Sequence, residues 1–570
     1  MGQNNSGMTG CADGIPRLRN ERGPLSGRSP FAYNNQLLRA MARRDEKTSM
    51  YLLQKPETDV NVVEQGITPL HLCLMQRNTE YITRLIEAGA DVNIYEGVFL
   101  TPLMFVALQG RADLAQVLLQ QGADVNFQWK GETGSPISNE NASLRLLPME
   151  AKEGETALHI AASRRHVTQD LVHVFSSHGA DFNLQAASGS TPLHYLAKRD
   201  DSNLISHLIS VPTCDLNIRN NSGCTALMEA LFNGNTQTAM ALINANCDVN
   251  IKPDDRMQFT SPLMIAAQQG WSEIVDLLIQ HGSDVNAICC HKKSALHYSI
   301  QQKDHRSASL LLKNGADLSL RDNRGNDCFM IAVEVGSVEC FQLLLSHGAS
   351  LDTVNKQDRG PLHLACHRGH VEIVRQLIDL GCDFEIKDGA SRTPLHIAVY
   401  FKQFAIITLL VEANCQLNHQ DSGGKTPLSL ATKYHHLDIT QYLLEKGANP
   451  DIPDDEGKCP LHYAVQFPSF FMEGVEVLLM NQCDVVNFVD FIDMLLREMV
   501  IFGNDIMQMP FMQNWHMKEK RTPRRLKQLC RFAVQKYLRI SPRDNPVAVL
   551  ESSNLPLPRS LIQYCSVKMF

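Results

Sequence analysis

The sequence predicts an all-α solenoid of about twelve two-helix repeats, with a degenerate capping unit before them and a small helical module after them. A four-residue box, clearest as Thr68-Pro69-Leu70-His71, recurs at a period close to 33 residues. A second signature, as in Gly89-Ala90-Asp91-Val92-Asn93, follows each box by about twenty residues. Two linked motifs at one period indicate a stack in which each repeat packs on its neighbours. The box begins at residues 68, 101, 156, 191, 225, 261, 294, 327, 360, 393, 426 and 459.

The residue types of the box favour the start of a helix. Threonine can cap a helix, and proline fits the first turn, where no N–H is needed. The leucine and alanine that follow face the core, and the glycine of the second signature ends a second helix. These residues resemble the ankyrin repeat, a helix-turn-helix followed by a β-turn finger. The resemblance covers about residues 66–488.

Several segments do not follow the period. Residues 1–31 are rich in Gly, Pro and Ser and are predicted to be disordered. The 55-residue step from Thr101 to Thr156 contains a 22-residue insertion, predicted to be a loop on the finger side. The predicted organisation is a tail at 1–31, a degenerate capping ankyrin unit at 32–66, repeats at 67–126, the loop insertion at 127–153, repeats at 154–488, a helical cap or linker at 489–520 and a C-terminal module at 521–570.

Composition limits the class of protein. Of the 570 residues, 44% are hydrophobic and 20% are charged, which is typical of globular proteins. The net charge of −8 argues against a nucleic-acid partner, although the chain from Lys518 onward carries 12 basic and 3 acidic residues. The sixteen cysteines show no disulfide spacing, and the first residues lack the apolar core of a secretory signal. We therefore expect a cytoplasmic or nuclear location.

Motifs that suggest catalysis or metal binding have simpler explanations. Gly423-Gly424-Lys425-Thr426 ends like a phosphate-binding loop, but His419 stands where that loop needs its first glycine. Cys289-Cys290-His291 lacks a second ligand pair at zinc spacing. No nucleophile and base stand apart from the repeat register. We predict a protein that is not an enzyme and has no catalytic residues, cofactor or metal.

Two segments near the C-terminus form a recognisable pair. Thr522 and Pro523 can start a helix in which Leu526, Cys530, Val534 and Leu538 recur every four residues among basic side chains. Alone, this pattern fits an ordinary amphipathic helix packed on the last repeat. Farther on, the prolines of Leu555-Pro556-Leu557-Pro558 force an extended entry into a short apolar helix, which alone reads as a linker.

Together and in this order, the two segments resemble the SOCS box. The resemblance implies that elongin C, bound to elongin B, contacts the first segment and that a cullin of the cullin-5 type, with its RING protein, contacts the second. Cys565 departs from the leucine usual in the family. The implied elongin-binding residues are Leu526, Leu529, Cys530 and Val534, and the implied cullin-binding residues are Leu555, Pro556, Leu557, Pro558, Leu561 and Tyr564.

The whole arrangement resembles the ankyrin repeat and SOCS box family. It implies a substrate-recognition subunit of a cullin-RING ubiquitin ligase, in which the repeats hold a protein target for ubiquitination and degradation. The contrasting hypothesis is an ankyrin scaffold or regulatory adaptor with no part in ubiquitination.

Two columns of side chains suggest where such a target binds. Eight residues after the box start, the last repeats carry Phe401, Tyr434 and Phe467, with Tyr400 adjacent, where earlier repeats carry polar residues such as Gln76, Gln109, Arg164 or Gln269. Just before the box start lie the basic residues Arg359, Arg392, Lys425 and Lys458. Aromatic residues and arginine dominate interface energies, so the two columns predict a groove for an acidic segment with an apolar anchor. The competing interpretation is that both columns serve local packing.

The N-terminus allows a weaker hypothesis of lipidation. Met1-Gly2 with Ser6 fits the N-myristoylation pattern at Gly2, and Cys11 could take a second lipid. A plain disordered start is the favoured alternative, so contact with a membrane is expected only if Gly2 is myristoylated.

Overall fold

The computed structural model describes residues 34–465 except 65, 77–78, 96–99, 131–150, 164–167, 201 and 252–259, together with 474, 477 and 478. The chain divides into two compact units, Met1–Ala245 and Asn246–Phe570. Helices account for the regular structure of the described residues, where the one β-type contact is an isolated bridge between Glu64 and Ile67. None of these helices is long and apolar enough to cross a membrane. The prediction of an all-α repeat fold is confirmed.

The described helices come in pairs, one pair to a repeat, except the last, which is the first helix of one more repeat. In the first unit they are α1 Gln36–Ala42, α2 Glu46–Leu53, α3 Pro69–Gln76, α4 Thr79–Glu87, α5 Pro102–Gln109, α6 Ala112–Gln120, α7 Ala157–Ser163, α8 Gln169–Ser177, α9 Pro192–Ala197, α10 Ser202–Ile209, α11 Ala226–Phe232 and α12 Thr236–Asn244. In the second unit they are α13 Pro262–Gln269, α14 Ser272–Gln280, α15 Ala295–Gln301, α16 His305–Lys313, α17 Cys328–Val335, α18 Val338–Ser346, α19 Pro361–Arg368, α20 Val371–Asp379, α21 Pro394–Tyr400, α22 Phe404–Glu412, α23 Pro427–Lys433, α24 Leu437–Glu445 and α25 Pro460–Val465.

The first helix of a repeat is buried almost all round. In α5, Thr101 caps the helix by accepting the Met104 N–H at 3.2 Å, and Pro102 occupies the first turn. The first six residues of α5 are buried, and the helix ends at Gly110 with a left-handed φ of 69°. First helices pack on first helices of the neighbouring repeats, as α13 does on α15. This burial explains why the first helix is apolar on all sides, without the polar face of a surface helix.

The second helix has one apolar face. In α20, Ile373, Val374 and Leu377 are buried, whereas Glu372 and Arg375 on the same helix are exposed. Second helices also pack on one another, as α14 does on α16. The spacing of three and four residues between buried positions is the one that puts apolar side chains on one helical face.

The box histidine joins one repeat to the next. In His396, Nδ1 accepts the Thr393 N–H at 3.2 Å, and Nε2 lies 3.1 Å from the Lys425 carbonyl oxygen of the following finger. This pattern requires a neutral ring protonated on Nε2, because Nδ1 acts as an acceptor and Nε2 as a donor. Burial lowers the pKa of His396 to about 4, and it does the same for His71 and His159. The histidine is a structural tie between repeats.

The fingers are joined by a ladder of asparagine side chains. The Asn93 side chain donates to the Gly122 carbonyl at 3.0 Å and accepts the Asp124 N–H at 2.7 Å. Asn126 makes the same two bonds to Gly179 and Asp181, across the insertion. A single side chain in each of these fingers thus satisfies one donor and one acceptor of the next finger.

Both ends of the predicted insertion at 127–153 are in contact. The Trp129 N–H donates to the Glu155 carbonyl at 2.9 Å, and the Gly154 N–H donates to the Trp129 carbonyl at 2.7 Å. Residues 131–150 lie outside the described part of the chain. Before the first full repeat, α1 begins at the Asn35 cap and packs on α3, so residues 34–53 contribute a helix pair.

Candidate target-binding surface

Exposed aromatic side chains lie where α21 and α23 end. Tyr400 is 44% exposed, Phe401 is 40% exposed and Tyr434 is 38% exposed. Tyr400 is the last residue of α21, and Phe401 and Tyr434 are the C-caps of α21 and α23. Because the two boxes are 33 residues apart, the two helix ends occupy the same position in adjacent repeats.

These rings touch one another and extend across three repeats. The ring centroids of Tyr400 and Phe401 are 4.9 Å apart, and those of Tyr400 and Tyr434 are 5.0 Å apart. The His367 ring meets Phe401 edge-on at 4.5 Å, and His436 lies 6.4 Å from Tyr434. We call these five residues the aromatic turn cluster. Edge-to-face contacts fix the rings relative to one another before any partner arrives.

Cations border the aromatic turn cluster. The Lys433 ammonium lies 5.9 Å from the Tyr434 ring centroid and 5.7 Å from that of Tyr463. Burial, reinforced by Arg368, lowers the pKa of His367, and burial, reinforced by Lys402, lowers the pKa of His436. Both histidines are therefore neutral near pH 7, and lysines supply the charge.

The predicted basic column takes part in the structure of the fingers. Asp388 Oδ1 accepts the N–H groups of Ala390 and Arg392 at 2.9 and 3.0 Å, which shapes the finger turn. Asp388 Oδ2 lies 2.8 Å from Arg392 Nη2 and 3.5 Å from Arg359 Nε. Although burial raises the pKa of Asp388, the Arg392 hydrogen bonds outweigh it and hold that pKa below its usual range.

The two lysines of the column are paired as well. Lys425 Nζ lies 3.5 Å from Asp454 Oδ2 in the next finger, and Lys458 Nζ lies 2.6 Å from Glu456. At the equivalent place three repeats before Lys425 and Asp454, the uncharged Asn355 side chain donates to Asn326 at 2.9 Å. The four cations are thus largely neutralised within the chain, and the aromatic turn cluster is the more accessible of the two columns.

The other predicted site residues lie outside the described residues. They are Phe467, the elongin-binding candidates Leu526, Leu529, Cys530 and Val534, the cullin-binding candidates Leu555, Pro556, Leu557, Pro558, Leu561 and Tyr564, and Gly2.

Nothing in the described part of the chain groups three or more His, Cys, Asp or Glu side chains in a way that could hold a metal ion. The cysteines described are free, and most of them are buried. Burial raises the pKa of Cys73 to about 12 and that of Cys366 still further, which keeps both as thiols. These thiols belong to the core, because a reactive cysteine needs an accessible thiolate.

One aromatic pair was missed by the sequence analysis. Phe404 at the start of α22 lies 5.4 Å from Tyr442 of α24, between ring centroids, and Phe404 is an exposed residue. The two residues are 38 apart in sequence, so a search for equivalent positions at the 33-residue period passes over them.

Comparison with known proteins places these features in a family. The ankyrin-repeat family model matches residues 37–129, 158–253, 252–322, 329–421 and 395–488, and the SOCS box model matches residues 522–566. Human rabankyrin-5 is 28% identical over 180 residues, covering 26% of this chain and 15% of that protein. Human neurogenic locus notch homolog protein 2 is 30% identical over 234 residues, covering 41% of this chain and 8% of that protein.

This chain therefore matches only a small part of the length of these two relatives. Among solved structures, the human ASB11 ankyrin repeat domain is 27% identical, with a TM-score of 0.36, covering 40% of this chain and 99% of that one. The ankyrin model alone matches well over half of the chain, and the SOCS box match lies C-terminal to it. The protein belongs to the ankyrin-repeat proteins, and its repeats followed by a SOCS box make it a member of the ankyrin repeat and SOCS box family.

Proposed function

We propose that this protein is the substrate-recognition subunit of a cullin-RING ubiquitin ligase assembled through elongin B and elongin C. The observation that carries the proposal is the SOCS box at residues 522–566 beside a long run of ankyrin repeats. A SOCS box implies binding to elongin B/C and to a cullin-containing ligase, and a role in ubiquitination follows from it. Cullin-5 with its RING protein is the proposed form of that ligase.

The two segments of the SOCS box bind different partners. The apolar stripe that contains Leu526, Cys530 and Val534, with Leu529 beside it, binds elongin C. The segment that begins at Leu555 and continues through Leu561 and Tyr564 binds the cullin, and its prolines reduce the conformational entropy lost on binding.

The repeats hold the target. Their task is to keep a bound protein close to a ubiquitin-charged conjugating enzyme, and such proximity accelerates a reaction without a catalytic group on the adaptor. We place this activity in the cytoplasm, with the nucleus also accessible. Myristoylation of Gly2 remains a separate proposal, and intact-mass analysis of protein from eukaryotic cells tests it, because an unmodified or acetylated N-terminus contradicts it.

Affinity purification of the full chain co-expressed with elongin B/C, cullin-5 and its RING protein tests the assignment. The double variant Leu526→Ala, Cys530→Phe is expected to lose both elongins and the cullin. Alanine in place of residues 555–558 is expected to lose the cullin and keep elongin C.

The second variant is the matched control for the first, because both alter the box and only one alters the elongin stripe. Undiminished elongin recovery from a soluble Leu526→Ala, Cys530→Phe protein would contradict the assignment. If the unaltered chain recovers neither elongin, the protein acts as an ankyrin scaffold outside ubiquitination.

A further inference from the structure

We propose that the aromatic turn cluster is a docking site for a protein segment that presents one aromatic or large aliphatic side chain flanked by carboxylates. The proposal rests on the proposed function, because it names the chemical class of the target that the repeats hold. It also depends on observations of its own: preformed ring geometry, exposure that the fold does not need, and the sign of the surrounding charge.

The rings are already arranged for binding. Tyr400 contacts both Phe401 and Tyr434 at centroid distances near 5 Å, and His367 closes the row at 4.5 Å from Phe401. Side chains held in this way lose little conformational freedom when a partner binds. Tyr400, Phe401 and Tyr434 nevertheless each remain about two fifths exposed as residues. Exposed apolar area that is contiguous and rigid is typical of a contact site.

The fold itself does not require aromatic residues here. Other repeats of the same unit carry Gln268-Gln269 and Gln301-Gln302 at the positions of Tyr400-Phe401. Helix α15, which ends at Gln301, ends in the same kind of turn. Its C-cap is Gln302, whose φ of −84° is close to the −91° of Phe401. Because glutamine serves the same backbone, packing within the repeat does not account for the rings.

The turns that carry the rings are basic, although Asp421 and Asp438 lie near enough to act electrostatically on Tyr434 and His436. None of the residues at the turns of these three repeats, 367–369, 400–402 and 433–435, is acidic. Of the basic residues among them, Arg368 is bound to Glu334 at 2.6 Å, whereas Lys433 lies against ring faces. Lys402 lies near enough to His436 to add to the effect of burial in lowering its pKa. Carboxylates beside the apolar side chain of a partner therefore strengthen its binding to these rings. Lysines at the same positions of the partner weaken it by repulsion.

The partner is a protein segment because the cluster is an open row on the surface of three successive turns, and it offers aromatic edges and ammonium groups. An aromatic or leucine-like anchor fits the row by edge-to-face or aliphatic contact. Carboxylates beside the anchor reach the lysines at the rim. Aromatic anchors of this kind carry most of the binding energy at protein interfaces.

Peptide display on the intact chain in complex with elongin B/C tests the proposal. A library of random short peptides is selected on the wild-type complex, and enriched peptides are synthesised with a fluorescent label for anisotropy titration. The enriched sequences are expected to share an aromatic or large aliphatic residue with Asp or Glu nearby. Replacing the anchor by alanine, or the acidic residues by lysine, is expected to weaken binding about tenfold or more.

The chain supplies the substitutions for the reverse test. Tyr400→Gln with Phe401→Gln installs the pair found in other repeats and is expected to weaken peptide binding about tenfold or more. Lys402→Glu with Lys433→Glu is expected to weaken it by a similar factor. Phe232→Gln is the matched control, because Phe232 is also the last residue of a first helix and is 42% exposed, yet it lies in the other unit. This control is expected to bind as the wild type does.

Three results would overturn the proposal. They are the absence of any enriched peptide, an enriched motif that lacks an apolar anchor flanked by acidic residues, and binding by the Tyr400→Gln, Phe401→Gln variant as tight as that of the wild type. Circular dichroism confirms that each variant is folded. Elongin recovery is measured on the same samples and is expected to be unchanged. A loss of peptide binding therefore reports on the cluster, and a failure to recover elongin from the wild type reports on the ligase assignment.

Discussion

Acid should weaken the repeats through their box histidines. The folded-state pKa of His71, His159 and His396 is about 4, whereas an unperturbed histidine titrates near 6.5. Below pH 6.5 these histidines therefore bind protons in the unfolded chain but stay neutral in the folded chain. Stability is fully present above pH 6.5 and is lost progressively as the pH falls toward 4.

The size of the effect follows from these values. Between pH 7.5 and pH 5.5 each such histidine removes about 1.4 kcal/mol from the free energy of unfolding. The three together remove about 4 kcal/mol, a large share of the stability of a typical domain. Asp388 and Asp454, whose pKa values are lowered, titrate below this window, so histidine dominates the change.

The chain offers a non-titrating version of the same position. In the repeat that begins at Thr426, Ser429 replaces the histidine, and its hydroxyl lies 3.0 Å from Thr426 Oγ1. His396→Ser is expected to lower stability at pH 7.5 by about 1–3 kcal/mol, since the Lys425 carbonyl loses its partner. It should also reduce the loss between pH 7.5 and pH 5.5 by about 1.4 kcal/mol.

Urea unfolding followed by far-ultraviolet circular dichroism at pH 7.5, 6.5 and 5.5 measures both effects. Ser429→Ala is the control, because it alters the same position of the next repeat without removing a titrating group. It should lower stability equally at each pH. Parallel pH profiles for the wild type and His396→Ser would refute the reasoning.

Other predictions concern the backbone and the fingers. Gly336→Ala should destabilise the chain by more than about 1 kcal/mol beyond Gly348→Ala in thermal unfolding. Both glycines have a left-handed φ, but only a Cβ at Gly336 would clash with the His370 ring. Equal melting temperatures would contradict this. Asn93→Ala should lower the unfolding free energy by about 1–2 kcal/mol, because it removes two hydrogen bonds to the next finger. Hydrogen exchange at the Asp124 amide should accelerate, and unchanged exchange would contradict the prediction.

Local rules explain how much of the fold could be predicted from the sequence. Thr101 caps its helix and Pro102 starts it because capping depends on residues within one turn. The 33-residue period then places every later box in register. The partner of Arg392 could not be predicted in this way, because its choice of Asp388 depends on how the finger turns.

The candidate site was predictable only in outline. The period aligned Phe401 with Tyr434, and the structure brings Tyr400 between them. The part played by His367 depends on side-chain directions that sequence spacing does not determine. The ion pairs of the basic column depend on contacts between successive fingers, so the sequence showed four cations where the folded chain leaves little net charge.

The hydrogen bonds between repeats do not depend on the side chains of the aromatic turn cluster. Besides the box histidine, the residue ten after the box start reaches back to the previous repeat: His370 Nε2 lies 3.1 Å from the Glu334 carbonyl oxygen, and Asn235 donates to the Ala197 carbonyl at 2.6 Å. Both bonds are made to backbone carbonyls, so they are insensitive to the side chains at the intervening helix ends. Those helix ends are where Tyr400 and its neighbours stand. If the aromatic turn cluster binds a target as proposed, substitution there changes binding while the hydrogen bonds that join the repeats stay in place.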